Sequence, residues 1–182
     1  DKDLKVLAKK PGSGIIVAAL ADRDKSPFNL SSIVCLVELG GKKILLTGDA
    51  RSDDIMAGLK ANKLLDKNDH IHVDILKMPH HGSERNLNPD FLKMVSANHY
   101  IISANGKHDN PDKATLDAVI DNTKKGKAST LHLTNHEGEK GIKKKIDSAI
   151  KRIKKEGSKL KVNFRNDKAG SIVLDLGEKI DF

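Results

Sequence analysis

The run Ile71-His72-Val73-Asp74-Ile75-Leu76-Lys77-Met78-Pro79-His80-His81-Gly82-Ser83 carries the reading of the fold. Ile71 to Lys77 is short, aliphatic and partly β-branched, which predicts a strand, and Pro79 cannot extend it. Two adjacent histidines follow, then a glycine that lets the backbone turn sharply. The same grammar recurs on either side. In Leu45-Leu46-Thr47-Gly48-Asp49-Ala50 an apolar strand end meets a glycine and then a carboxylate. In Ile101-Ile102-Ser103-Ala104-Asn105-Gly106-Lys107-His108-Asp109-Asn110-Pro111 a strand runs into a loop dense in Ser, Asn and His. Strands that end in polar loops, with helical segments between them, predict an α/β layered domain. In such layers ligands bind at the carboxyl edge of the sheet.

Working outward, the sequence predicts strands at Ile15–Leu20, Ser32–Glu38 and Lys42–Leu46. The last two are joined by Gly40-Gly41 as a tight hairpin. Asp22–Leu30 reads as a polar loop. A helix opens at Ser52 or Asp53 and carries Ile55, Met56, Leu59 and Leu64. Pro89–Val95 reads as a helix, Tyr100–Ser103 as a strand, and Pro111 introduces a helix with Leu116, Val119 and Ile120. Ser129–Leu133 is a strand, and Lys159–Phe164 and Ser171–Leu176 close the chain as strands. Between Ile142 and Glu156 the apolar residues keep helical spacing while lysines fill most other positions. No internal repeat or linker is evident.

The chain has 182 residues, 37% of them hydrophobic, 32% charged and 3% aromatic. That suits one aliphatic-cored domain, or a large part of one, and excludes a disordered chain. No apolar run approaches the roughly 20 residues of a membrane helix. The single Cys35 excludes an internal disulfide framework and a Cys-rich zinc ribbon, and it favours a reducing, cytoplasmic setting. The start at Asp1-Lys2-Asp3 gives the expectation of a piece cut from a longer protein. Net charge is +8, concentrated late in the chain: Lys124 to Lys168 holds 15 Lys and Arg against 5 Asp and Glu. Such a segment can dock a polyanion. It also fits a solvated helix face, because no aromatics are interleaved to stack on bases.

Each loop has a plain alternative when read alone. Asp49 fits a helix cap, and Ser103 to Asn110 fits an ordinary turn. His70-Ile71-His72-Val73-Asp74 spells H-x-H-x-D, the opening of a dinuclear metal motif. Its sixth position is Ile75 where a His is required, and it leads into a strand, so His70 and His72 are read as surface residues.

Taken jointly, the loops resemble the C-terminal half of a metallo-β-lactamase-fold hydrolase. The resemblance is to the branch that includes the hydrolase domain of bacterial DNA-uptake channel proteins. There an N-x-x-S strand leads into LLTGD, then D-x-L-K-x-x-HHGS, then an I-S-x-x loop ending in His-Pro or Asn-Pro. Asn29-Leu30-Ser31-Ser32, Leu45 to Asp49, Asp74 to Ser83 and Ile102 to Pro111 follow in that order. The fold the resemblance implies is the C-terminal half of a four-layer αββα sandwich, with 1–182 a partial domain.

Residue by residue, the resemblance implies that Asp49 is the carboxylate bridging two metal ions. One of His80 and His81 is then a terminal ligand, with His80 preferred. It implies zinc, two ions per intact site, with manganese as the alternative. Catalysis falls to Asp49 and His80, and substrate contacts to Ser103, Asn105, His108 and Asn110. Asn110 stands where many relatives have the His of His-Pro, and Asn29 where other branches place a metal-binding His. The H-x-H-x-D-H motif of the family has no counterpart before Asn29. The expectation is therefore a metal-dependent hydrolase of phosphodiesters, nucleic acid among them, whose isolated fragment is inactive. Its partner would be the missing N-terminal half or a second copy of the chain. The alternative is a non-catalytic polyanion-binding module using the basic C-terminal third.

Overall fold

The computed structural model describes residues 23–124, 128–166 and 168–177. The strand expected at Ile15–Leu20 lies outside them. The described chain begins with a short helical turn, α1 (Pro27–Leu30), inside the segment expected as a loop. It continues as β1 (Cys35–Leu39), β2 (Lys42–Leu46), α2 (Ser52–Ala61), β3 (Ile71–Lys77), α3 (Phe91–Met94), β4 (Val95–Ile102), α4 (Lys113–Thr123), β5 (Thr130–Leu133), α5 (Ile142–Lys155) and β6 (Lys161–Phe164). The protein is a mixed α/β structure built on one six-stranded sheet with strands in chain order. β1 and β2 form the expected antiparallel hairpin, turning where Gly40 and Gly41 both take positive φ. Every later neighbour is parallel.

Sequential parallel strands joined by right-handed crossovers carry their helices on one face. In agreement, α2 touches α3, α3 touches α4, and α4 touches α5. The core lies between this helix layer and the sheet. Leu45, Leu76, Tyr100 and Leu131 are register partners across four strands and are essentially fully buried. α5 closes the layer with Ile142, Ile146, Ala149 and Ile153, the seam its spacing predicts. A second sheet and helix layer, needed for a four-layer sandwich, is not present among the described residues.

Several boundaries differ from the sequence reading: α2 ends at Ala61, so Leu64 lies beyond it, and β5 and β6 start at Thr130 and Lys161. The Pro89–Val95 helix is a single turn, because β4 already starts at Val95 and extends well before Tyr100. The period-2 signal there is broken: Val95 and Ala97 are buried, then Tyr100 and Ile102. β3 buries Ile71, Val73 and Ile75 on one parity and adds Leu76 on the other, so the parity changes there too. Asp74 sits at the switch, accepting from the Lys43 amide at 2.9 Å and from Asn98 Nδ2 at 3.2 Å. β1 begins at Cys35, not Ser32. Ser171–Leu176 alternates in exposure as a strand would, but it belongs to no strand of the sheet.

Candidate functional site

β2, β3 and β4 run parallel, so the loops that follow them emerge at one edge of the sheet. Gly48, with φ of 53°, turns the chain after β2. The Asp49 amide then donates to Ser32 Oγ at 3.1 Å, which fixes the loop against the start of the hairpin. After β3, Met78-Pro79 leads into a tight turn in which His80 (φ 41°, ψ 53°) and His81 (φ 55°, ψ 21°) are both left-handed. The His80 amide donates to the Gly48 carbonyl at 3.1 Å, joining this loop to the previous one. Gly82 packs so closely on Pro111 that a Cβ there would stand 2.9 Å from the proline Cβ.

These contacts bring Asp49 and His81 together. His81 Nε2 lies 3.7 Å from Asp49 Oδ1. At the far side of the ring, His81 Nδ1 is 2.6 Å from the Ser103 carbonyl. A carbonyl only accepts, so Nδ1 carries a proton, and Nε2 is the ring nitrogen that faces Asp49. The His80 ring lies 6.1 Å from that of His81, edge to face. Its Nδ1 is held inward, 2.8 Å from Asn86 Oδ1 and 3.2 Å from Asp24 Oδ2.

Beside His81 a cavity of about 320 Å³ is lined by Ser103, Asn105, His108, Asn110 and Asn135 among others. Asn110 is buried and donates from Nδ2 to the His80 carbonyl at 3.3 Å. Asn105 Oδ1 accepts from the Lys107 amide, and its carbonyl accepts from the Glu139 amide at 2.9 Å. The loops after β4 and β5 interlock at this point. A Cβ on Gly138 would lie 2.2 Å from the Asn105 carbonyl oxygen, and one on Gly106 would lie 2.1 Å from that of Glu139. All the expected site residues, Asp49, His80, His81, Ser103, Asn105, His108 and Asn110, thus belong to one loop cluster. Asn29 touches the cluster through Asp24, donating to its Oδ2 at 2.7 Å. Among the described residues His70, His72 and Asp74 form no metal-binding group. His72 bonds Ser96 and Asn98, while Asp74 bonds the Lys43 amide and the same Asn98.

Four residues of the cluster escape the sequence reading. Asn135 follows β5, and Leu133-Thr134-Asn135-His136 has the same strand-then-polar signature as the other three loops. Lys77 ends β3; burial pushes its ammonium below the usual lysine value while the Asp49 charge pulls the other way. Asp24 and Asn86 carry no local signal, because each sits in a plain polar stretch. Asp24 is buried, which would raise its pKa, but donors from the Ser26 amide, Asn29 and Asn86 bring it down to about 2.

No protein-family profile matches the chain. It is 30% identical over 95 residues to ComE operon protein 3 of Bacillus subtilis (strain 168). That match covers 51% of this chain but only 12% of that protein. Among solved structures it superposes on the adenylation domain of a carboxylate reductase from Mycobacterium chelonae with a TM-score of 0.33 and 12% identity. This covers 90% of the chain and 30% of that one, and so low a score informs neither fold nor activity. No helix among the described residues is long and apolar enough to cross a membrane.

Proposed function

We propose that the chain supplies one wall of a metal-dependent hydrolase centre of the metallo-β-lactamase type, acting on phosphodiesters. The observation that carries this is the Asp49–His81 pair. Its two donor atoms, 3.7 Å apart, lie within the roughly 4 Å that two zinc–ligand bonds span. The hydrogen bond from His81 Nδ1 to the Ser103 carbonyl is the backing usual behind a metal-ligating imidazole. The position of its Nε2 against Asp49 favours His81 over His80 as the terminal ligand, since both rings are backed at Nδ1. The similarity to ComE operon protein 3 supports the DNA-uptake branch in a general way.

An oxygen and a nitrogen donor side by side fit zinc, or manganese as the alternative. Among the described residues no three His, Cys, Asp or Glu side chains form a metal group. In this proposal the remaining ligands therefore come from a partner, either an N-terminal half or a second copy. When bound, the metal ions polarise the scissile bond and supply a hydroxide at neutral pH. Ser103, Asn105, His108 and Asn110 orient the substrate in the adjoining cavity, and Lys77 keeps a positive charge next to Asp49. The polyanion-module reading is weaker, because the basic segment interleaves no aromatics to stack on bases and part of its charge is paired locally. Lys143 pairs with Glu137, Lys145 with Asp109, and Arg152 with Asp117, Asp121 and Glu156.

The test is Asp49→Ala in the parent protein with its partner present. Bound zinc should be lost, and phosphodiester turnover should fall by orders of magnitude. His72→Ala, whose ring faces Ser96 and Asn98, should leave both unchanged. Full metal content and activity in the Asp49 variant would overturn the proposal.

A further inference from the structure

We infer that Asn86 and Asp24 are positioning residues: together they hold the His80 imidazole as the Nδ1–H tautomer, with Nε2 bare, and pin the same network to the backbone of Asp49. Asn86 is buried and all of its amide is used. Its Nδ2 donates to Asp24 Oδ2 and to the Asp49 carbonyl, both at 3.0 Å. Neither partner can donate, so the amide has only one orientation, with Oδ1 facing His80. Oδ1 in turn only accepts, as does the Asp24 carboxylate 3.2 Å from the same ring atom. His80 Nδ1 therefore carries the proton.

The Asp24 carboxylate is itself fully supplied. Oδ1 accepts from the Ser26 amide at 2.9 Å, and Oδ2 from Asn29 at 2.7 Å and Asn86. Asn29, at the motif position where a ligand might be sought, thus serves to hold this carboxylate in place. The consequence for the proposed centre is a second imidazole, 6.1 Å from His81, whose open Nε2 can take a metal or exchange a proton. That purpose rests on the proposed function, whereas the tautomer does not.

The experiment is long-range proton–nitrogen NMR on the 182-residue chain, labelled with nitrogen-15 and free of metal. It is run at mildly alkaline pH, where imidazoles are neutral. His80 should appear as one species protonated on Nδ1. The Nε2–H form, which a free histidine prefers, or a mixture of the two, would overturn the inference. Removing both acceptors with Asp24→Ala and Asn86→Ala together should convert His80 to a mixture. His81, held separately by the Ser103 carbonyl, should stay unchanged and serve as the internal reference. A folded double variant that keeps a pure Nδ1–H His80 would also refute the assignment. If that variant does not fold, the wild-type spectrum still decides. No metal or substrate enters the measurement, so an inactive parent protein would defeat the proposed function and leave this result standing.

Discussion

Asp24→Asn tests the buried network through stability. In the folded protein the Asp24 pKa is lowered from 3.8 to about 2. Each unit corresponds to about 1.4 kcal/mol, so the ionised carboxylate contributes on the order of 2 kcal/mol. Because the folded-state value is the lower one, this stability is present above the unfolded pKa. It is lost as pH falls from there toward about 2. The variant also pays a pH-independent cost, since an amide donor would now face the donors of Asn29 and Asn86. The informative quantity is therefore how the deficit changes with pH. Urea unfolding of both proteins between about pH 6 and pH 2 should show the deficit of Asp24→Asn shrinking by roughly 2 kcal/mol on acidification. A deficit that stays constant over that range would refute the buried, donor-held carboxylate.

Tyr100→Phe should cost about 1–3 kcal/mol in the same assay, because the hydroxyl accepts from the Ala97 amide and Asn122 Nδ2 in the core and its loss leaves a buried N–H unpaired. Gly138→Ala should cost about 1–3 kcal/mol by driving a methyl into the Asn105 carbonyl, while Gly58→Ala, with open space around its Cβ, should not destabilise; equal effects would refute the loop interlock. At position 81 the left-handed φ of 55° should make His81→Gly more stable than His81→Ala by about 1 kcal/mol, and a calorimetric order of Ala at or above Gly would contradict that backbone geometry.

The strand-then-polar-loop pattern is enough to read a layered α/β core, because β2, β3 and β4 each carry an aliphatic run that ends abruptly. It also gathered Asp49, His81 and the cavity-lining residues, since loops leaving neighbouring parallel strands share an edge whatever their side chains do. Three things were not legible. Burial changes parity along β3 and β4, where Asp74 bonds the Lys43 amide and Asn98 across strands, a contact with no local signature. The choice between His80 and His81 depends on which ring turns its Nε2 to Asp49, and the acceptors that orient the two rings, Asn86 and Ser103, stand 6 and 22 residues away in sequence. Asp24 looked like any loop carboxylate until the fold buried it beside Asn86.

The two histidines show why the loops depend on one another. Neither residue favours left-handed backbone, and two in succession cost on the order of 1–2 kcal/mol each. Such a conformation persists only where the surroundings over-determine it. Here the His80 amide is tied to Gly48, its carbonyl accepts from Ser83 and Asn110, its ring is tied to Asn86, and the His81 ring to Ser103. Those partners come from every loop of the cluster except the one after β5. That loop acts at one remove, bracing Asn105 through Glu139 and Gly138. The turn therefore gets its shape from its neighbours, and they orient both imidazoles before any ligand arrives. A site assembled this way is preorganised by protein contacts alone, which is the property a half-centre needs if its remaining ligands come from a partner.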